Sequence, residues 1–247
     1  MKILLNGCLG RMGRAVTELA PSRDMTVVAG VDAAAGTADY PVSADWADLP
    51  AADAIIDFSS PAALAAELDY AIVHNLPLVL CTTGLSAEQM AAVKDAATHI
   101  PVFFSSNMSL GVAVLSALTK KAAAVLGGTY DIEIVEMHHN QKLDAPSGTA
   151  LMLADAAKAG LSFEPEYTYD RHTRRQKREK QEIGIASLRG GTVVGEHSVY
   201  FAGEQEVITL SHSAGSRSVF ASGALTAAAF IVGKEPKLYS MEDILNQ

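Results

Sequence analysis

Residues 136 to 150 read Glu-Met-His-His-Asn-Gln-Lys-Leu-Asp-Ala-Pro-Ser-Gly-Thr-Ala. Two adjacent histidines, His138 and His139, come first, then Lys142, then Ser147-Gly148-Thr149. An imidazole gives or takes a proton near neutral pH. Lys142 supplies a cation for an anionic group, or a second acid. Ser147-Gly148-Thr149 reads as a helix opening, whose first amides and neighbouring hydroxyls suit a carboxylate or phosphate. Taken singly, Ser147 or Thr149 reads equally well as a helix cap. A histidine pair also suits a metal. No third soft ligand follows at regular spacing, so no metal is expected. Together the set describes a site for a small dianionic substrate that must be protonated.

A second constellation lies near the N-terminus. Gly7-Cys8-Leu9-Gly10-Arg11-Met12-Gly13 follows an apolar run and opens a helical pattern. Glycines let backbone amides approach a pyrophosphate, where a Cβ would obstruct it. The helix N-terminus adds partial positive charge. Asp32 ends the next apolar run, roughly twenty residues on, where a dinucleotide fold places an acid for the adenosine ribose. Ala33 follows it, not Arg or Lys. A 2′-phosphate there would meet a carboxylate and gain no cation, so the cofactor is NADH or NADPH with NADH favoured. Arg11 and Arg14 are the alternative cations for a 2′-phosphate.

The elements that must position these groups follow from periodicity. Apolar runs at 2–6, 26–31, 54–58, 76–81 and 101–105 read as buried strands. Helical patterns at 11–20, 61–74 and 86–98 separate them, with Pro21 stopping the first and a Ser86/Gln89 capping box opening the third. Apolar strands alternating with helices predict a parallel sheet covered on both faces. A long helix is expected at 109–126, ended by Gly127-Gly128, and then the rhythm changes. Asp131–His138 alternates, with Ile132, Ile134 and Met137 set against Glu133 and Glu136. A short helix at 148–159 and strands at 183–188, 192–202 and 206–213 follow, with Gly-rich turns. The last thirty or so residues return to helix. The fold class expected is α/β. A Rossmann-type doubly wound parallel sheet spans 1–108, with a C-terminal return at 217–247. An α+β domain with a mostly antiparallel sheet spans 109–216. The basic run at 171–180 reads as a solvated loop.

Composition bounds the class. Of 247 residues 49% are hydrophobic and 19% charged, which excludes a disordered chain. A net charge of −9 argues against nucleic acid as a partner. The two cysteines, Cys8 and Cys81, lie far apart, which rules out a disulfide scaffold and fits a reducing compartment. No apolar stretch is long enough for a membrane span, and no signal peptide is visible. The expectation is a soluble, cytoplasmic protein.

The block from 136 to 150 resembles the signature of the 4-hydroxy-tetrahydrodipicolinate reductase (dihydrodipicolinate reductase) family, E-x-H-H-x-x-K-x-D-A-P-S-G-T-A, at every fixed position. The resemblance runs along nearly the whole chain. Residues 7–13 resemble the family's G-x-x-G-R-M-G, Asp57-Phe58-Ser59 its D-F-[ST], and Thr82-Thr83-Gly84 the end of its G-T-T-G loop. Ser105-Ser106-Asn107-Met108-Ser109 resembles its strand-end loop; Arg189-Gly190-Gly191 and Val194-Gly195-Glu196-His197 resemble its R-G-G and V-G-E-H. The resemblance implies NAD(P)H-dependent reduction of 4-hydroxy-tetrahydrodipicolinate to tetrahydrodipicolinate in the diaminopimelate and lysine pathway. It implies His138 as proton donor and Lys142 as second donor or carboxylate anchor. His139 is implied to contact substrate, with Gly148 and Thr149 holding a carboxylate. Gly7, Cys8, Leu9, Gly10, Arg11, Met12, Asp32, Cys81, Thr82, Thr83, Ser105, Ser106, Asn107 and Met108 are implied to hold the dinucleotide. A homotetramer built through the second domain's sheet is also implied.

Two departures stand out. Cys81 replaces the first glycine of G-T-T-G, and Cys8 stands where alanine is common. Each fits a turn if its φ is negative and is strained if positive. Both read as small core residues. Two rival functions share the glycine loop. An amino-acid dehydrogenase of aspartate or diaminopentanoate type would not need the full His-His-Lys block. A non-enzymatic NADH-sensing regulator would need a DNA-binding module, and the basic run at 171–180 is the only candidate for one.

Overall fold

The computed structural model describes residues 1–169, 171–172 and 174–247. In chain order the elements begin β1 (Lys2–Asn6), α1 (Arg11–Leu19), β2 (Thr26–Val31), β3 (Val42–Ser43), β4 (Ala54–Asp57), α2 (Leu64–Val73) and β5 (Leu78–Leu80). They continue α3 (Ala87–Ala96), β6 (Pro101–Phe104), α4 (Leu110–Leu126), β7 (Asp131–His138), α5 (Gly148–Gly160) and β8 (Glu166–Thr168). The last are β9 (Glu182–Arg189), β10 (Gly195–Ala202), β11 (Val207–Ala214), α6 (Ser218–Ile231), β12 (Lys237–Tyr239) and α7 (Met241–Leu245). The chain forms two compact units, Met1–Leu110 with Arg217–Gln247, and Gly111–Ser216. No helix among the described residues is long and apolar enough to cross a membrane.

The first unit is a parallel seven-stranded sheet in the order β12-β6-β5-β4-β1-β2-β3. Its central strands are buried on both faces, as their unbroken apolar runs require. Leu4, Ile55, Leu78, Leu80 and Val102 of the sheet pack with Leu64 and Leu68 of α2 and Val93 of α3. The small face of α6, including Ala221, Ala224, Ala227 and Ala228, is fully buried. Strand order reverses about β1, so the loop after β1 opens where doubly wound folds bind ligands.

The first helix ends at Leu19, ahead of Pro21 as expected, and Ala20–Arg23 then tightens into a 3-10 turn with proline in its opening positions. Pro61 likewise opens a 3-10 turn, Pro61–Ala63, that leads into α2. The Ser86 capping box is present, with Gln89 N donating to Ser86 Oγ at 3.2 Å and Ser86 N to Gln89 Oε1 at 3.0 Å. Strands β3, β8 and β12 had no counterpart in the sequence reading. Each has only two or three residues, too few for a period to register.

The second unit is a five-stranded mixed sheet, β11-β10-β7-β9-β8. The long ladders of β10 with β7 and β11 are antiparallel; β9 runs parallel to β7 and β8. Leu115 and Ala123 of α4 and Leu153, Ala154 and Ala157 of α5 bury one face against Ile132, Ile134, Val199 and Phe201. The alternation read in β7 has the opposite phase at its end. Glu136 is fully buried with Ile132, Ile134 and His138, and Met137 lies on the other face. Hydrophobicity assigned Glu136 to solvent, but a side chain two residues from His138 shares its face, and ionic partners keep it there.

The described residues of the basic run are mostly exposed, as a solvated loop would be, but several of its cations turn onto acids. Arg178 donates to Glu133 at 2.9 Å, to Asp131 at 3.0 Å and to the Ile132 carbonyl at 3.1 Å. Arg171 pairs with Glu182, and Arg174 with Glu166 at 3.3 Å. Thr173 in this run lies outside the described residues.

Candidate active site

In the second unit, β7 ends at His138 and the chain turns through His139 to Lys142 before α5 begins. His138 is buried, and its Nδ1 lies 2.6 Å from Glu136 Oε2. Arg189, at the end of neighbouring β9, grips the same carboxylate: Nη1 donates to Oε2 and Nη2 to Oε1, each at 2.8 Å. The Ser147 amide donates to Oε1 at 3.2 Å. Burial pushes the Glu136 carboxyl up, but hydrogen bonds from Arg189, Ser187 and His138 outweigh it and bring it down to about 2. Gly195 faces the other side of the ring; a Cβ there would lie 3.0 Å from His138 Nε2.

His197 completes the cluster. Its Nε2 is 2.9 Å from Ser147 Oγ, and its ring meets that of His138 edge to face with centroids 5.1 Å apart. Burial, and next the neighbouring His138, lower its value to about 4, so it is neutral at physiological pH. Ser147 caps α5, its Oγ accepting from the Ala150 amide at 3.1 Å. Gly148 next to it is exposed, with nothing within 4 Å of where a Cβ would be, and the first turn of α5 carries no acid. Such a helix opening suits an anion. Thr149 lies half-buried on the same turn. Lys142 Nζ lies 2.8 Å from Asp144 Oδ1, and its amide donates to the His139 carbonyl at 3.1 Å. His139 Nδ1 in turn accepts from the Gln141 amide at 3.2 Å. His138, His139, Lys142, Ser147, Gly148 and Thr149 therefore lie on one strand end, the loop after it and one helix opening.

In the first unit, the glycine loop turns sharply from β1 into α1. Gly7 has φ +73°, and a Cβ would lie 2.6 Å from the Phe58 carbonyl oxygen. Gly10 is the N-cap of α1, which has no side-chain cap and no acid in its first turn. Gly7, Leu9, Gly10 and Asp32 line a cleft of about 700 Å³ with Asn6, Asp45, Trp46, Phe58 and Ser59, among others. Asp32 braces the loop: Oδ2 accepts from the Leu9 amide and Oδ1 from the Ala34 amide, both at 2.9 Å. Each carboxylate oxygen keeps a further lone pair for a hydroxyl. The glycine cradle, open helix end and acid fit a dinucleotide.

The other expected cofactor residues occupy different positions. Cys8 is in the loop, but its side chain is buried in the space that Gly30 leaves. Arg11 is exposed and Met12 half-buried at the start of α1. Cys81, Thr82 and Thr83 follow β5, and Ser105, Ser106, Asn107 and Met108 follow β6. These loops leave the same carboxyl edge of the sheet but do not line the cleft after β1. Ser105 and Asn107 bond within their own loop, Ser105 Oγ donating to the Asn107 carbonyl at 2.7 Å. Neither cysteine has a positive φ, so the glycine replaced at 81 imposes no strain. Both thiols are pushed up chiefly by burial, Cys81 also by Asp57 and Glu67.

Several site residues escaped the sequence reading. Glu136, Arg189 and His197 carry no role that their sequence neighbours announce; for Glu136 the available signal is its two-residue spacing from His138. Asp45 and Trp46 had no signal, because β3 is too short to announce that its end meets β2.

A family model described as "Dihydrodipicolinate reductase, N-terminus" matches residues 1–108, and one described as "Dihydrodipicolinate reductase, C-terminus" matches 111–245. A 4-hydroxy-tetrahydrodipicolinate reductase of Caldanaerobacter subterraneus subsp. tengcongensis is 50% identical, the alignment covering 100% of this chain and 99% of the relative. One from Clostridium tetani is 45% identical, covering 100% and 97%. The solved dihydrodipicolinate reductase of Paenisporosarcina sp. TG-14, with dipicolinate bound, superposes with a TM-score of 0.83 at 25% identity, covering 99% of each chain.

Proposed function

The chain belongs to the dihydrodipicolinate reductase family, and from that premise we propose that it reduces 4-hydroxy-tetrahydrodipicolinate to tetrahydrodipicolinate with NAD(P)H, in the diaminopimelate and lysine pathway. The observation that carries this reading is the placement of His138, Lys142 and the α5 N-terminus, a proton donor and two anion sites, on one strand end, the loop after it and the helix that follows. In this reading the first unit is the dinucleotide-binding domain and the second binds substrate. One substrate carboxylate lies at the Ser147-Gly148-Thr149 turn, where helix amides and hydroxyls receive it. Lys142 meets the other, exchanging Asp144 for substrate, and His139 contacts the ring. When bound, the reduced dinucleotide supplies the hydride. Loss of water from the hydroxylated ring leaves a conjugated imine; with hydride added to its ring carbon the product would be an enamine, which needs a proton on carbon. His138 gives it from Nε2, since Nδ1 is engaged by Glu136.

On the cofactor side, Gly7, Cys8, Leu9, Gly10, Arg11 and Met12 hold the pyrophosphate, Asp32 the ribose, and the 81–83 and 105–108 loops the nicotinamide end. NADH is the favoured cofactor. Asp32 and Asp45 line the cleft, no Lys or Arg is among its lining residues, and Arg14 Nε is held by the Leu9 carbonyl at 3.1 Å. The active form is a homotetramer assembled on the outer face of the second unit's sheet. Val207 and Leu188, 59% and 51% exposed, share that face with Val135 and Tyr200. Burying these apolar side chains supports the assembly; light scattering on purified protein tests it. The site of action is the cytoplasm, in keeping with two unpaired cysteines.

The test of the reaction is direct. Substrate generated by the preceding synthase is added to purified protein with NADH, and the loss of NADH absorbance is followed. Consumption that depends on the synthase product supports the reading; no consumption with either NADH or NADPH overturns it.

A further inference from the structure

We propose that Glu136, clamped by Arg189, is a positioning residue: it fixes the tautomer of His138 and locks that ring in register with the N-terminus of α5. This rests on the reading of His138 as the proton donor. Glu136 has no solvent exposure, and an ionised carboxylate there must be fully hydrogen-bonded. It is. Oε2 takes His138 Nδ1 at 2.6 Å and Arg189 Nη1 at 2.8 Å; Oε1 takes Arg189 Nη2 at 2.8 Å and the Ser147 amide at 3.2 Å.

Two consequences follow from that saturation. The carboxylate is a fixed anion and accepts only, so Nδ1 of His138 must be the nitrogen that donates to it. All gain and loss of a proton then falls on Nε2, the side where Gly195 leaves room. One carboxylate also holds both the imidazole and the Ser147 amide. The proton donor and the proposed carboxylate seat therefore cannot shift independently. Arg189 extends the clamp, since Nη2 also donates to the Asp144 carbonyl at 2.6 Å, while the Gly190 amide donates to the His138 carbonyl at 2.9 Å. The loop that carries Lys142 is pinned by the same guanidinium. Positioned reacting groups gain more from small corrections of geometry than a buried ion pair gains in stability.

The alternative is that Glu136 and Arg189 only hold the sheet together. A double-mutant cycle separates the two. His138→Gln, Glu136→Gln and the double variant are assayed with NADH and synthase-generated substrate, and solvent isotope effects on kcat are recorded. Glu136→Gln is expected to lower kcat about tenfold or more. It should raise the solvent isotope effect and leave NADH Kd within about twofold. In the double variant kcat should fall no further than in His138→Gln alone, because Glu136 acts through that ring. Additive losses, or an unchanged isotope effect in Glu136→Gln, overturn the proposal and leave the donor role standing. An unchanged kcat in His138→Gln removes the donor role itself, and this proposal with it. If Glu136→Gln does not fold, Arg189→Lys replaces it in the cycle. That variant keeps the carboxylate and loses the fork, and is expected to show a smaller kcat loss with the same rise in isotope effect. An unchanged kcat and isotope effect in Arg189→Lys overturn the proposal equally.

Discussion

Glu136 should also leave a mark on acid stability, and its size can be worked out. The folded carboxyl sits at about 2 against an ordinary value of 4.5, because the hydrogen bonds from Arg189, Ser187 and His138 exceed the cost of burial. A carboxyl depressed in the folded state stabilises the fold above its unfolded value. That stability is lost as pH falls through the folded value. At about 1.4 kcal/mol per unit, the contribution is about 3 kcal/mol at neutral pH. The same relation leaves roughly half of it near pH 3. Glutamine cannot ionise. Glu136→Gln should therefore be most destabilised relative to the native chain at neutral pH, and the gap should narrow by roughly 1.5–2 kcal/mol near pH 3. Urea unfolding of both proteins, followed by circular dichroism at the two pH values, measures this. A gap that stays constant across pH would refute the claim that Glu136 is held ionised by its partners.

Other expectations follow from single contacts. Gly7→Ala should destabilise the first unit by roughly 3 kcal/mol or more, since it combines a positive φ with a clash against the Phe58 carbonyl. Gly84→Ala, with φ +77° but open space, should cost only about 1–2 kcal/mol; thermal unfolding ranks the two. Asp144→Asn removes the 2.8 Å counter-ion of Lys142 and should lower KM for the diacid by roughly threefold with little change in kcat. Asp32→Ser combined with Ala33→Arg should raise kcat/KM for NADPH by about tenfold or more, as a repelling carboxylate gives way to a phosphate-binding cation.

Much of this molecule was legible because its signals are local. The alternation of buried strands and helices, the Gly7–Gly10–Gly13 turn and the Ser86 box each depend on residues close in sequence. What was not legible depends on residues far apart. Arg189 reaches Glu136 only because β9 lies beside β7, a parallel pairing that no turn announces. Polarity placed Glu136 outward; two guanidinium nitrogens and an imidazole reverse that preference. Arg178 escaped in the same way, drawn from a charged run onto Asp131 and Glu133. Strand β12 joins the first sheet from the far end of the chain, where three residues pair with β6. The conformations at Cys8 and Cys81 were open questions of φ, and the backbone answered them.

The proposed chemistry rests on His138 as the group that protonates the reduced ring. Its most direct test is kcat of His138→Gln at saturating NADH and substrate, set beside the Kd for NADH. A fall of about a hundredfold or more with unchanged cofactor binding is predicted. Turnover equal to that of the native chain would contradict it.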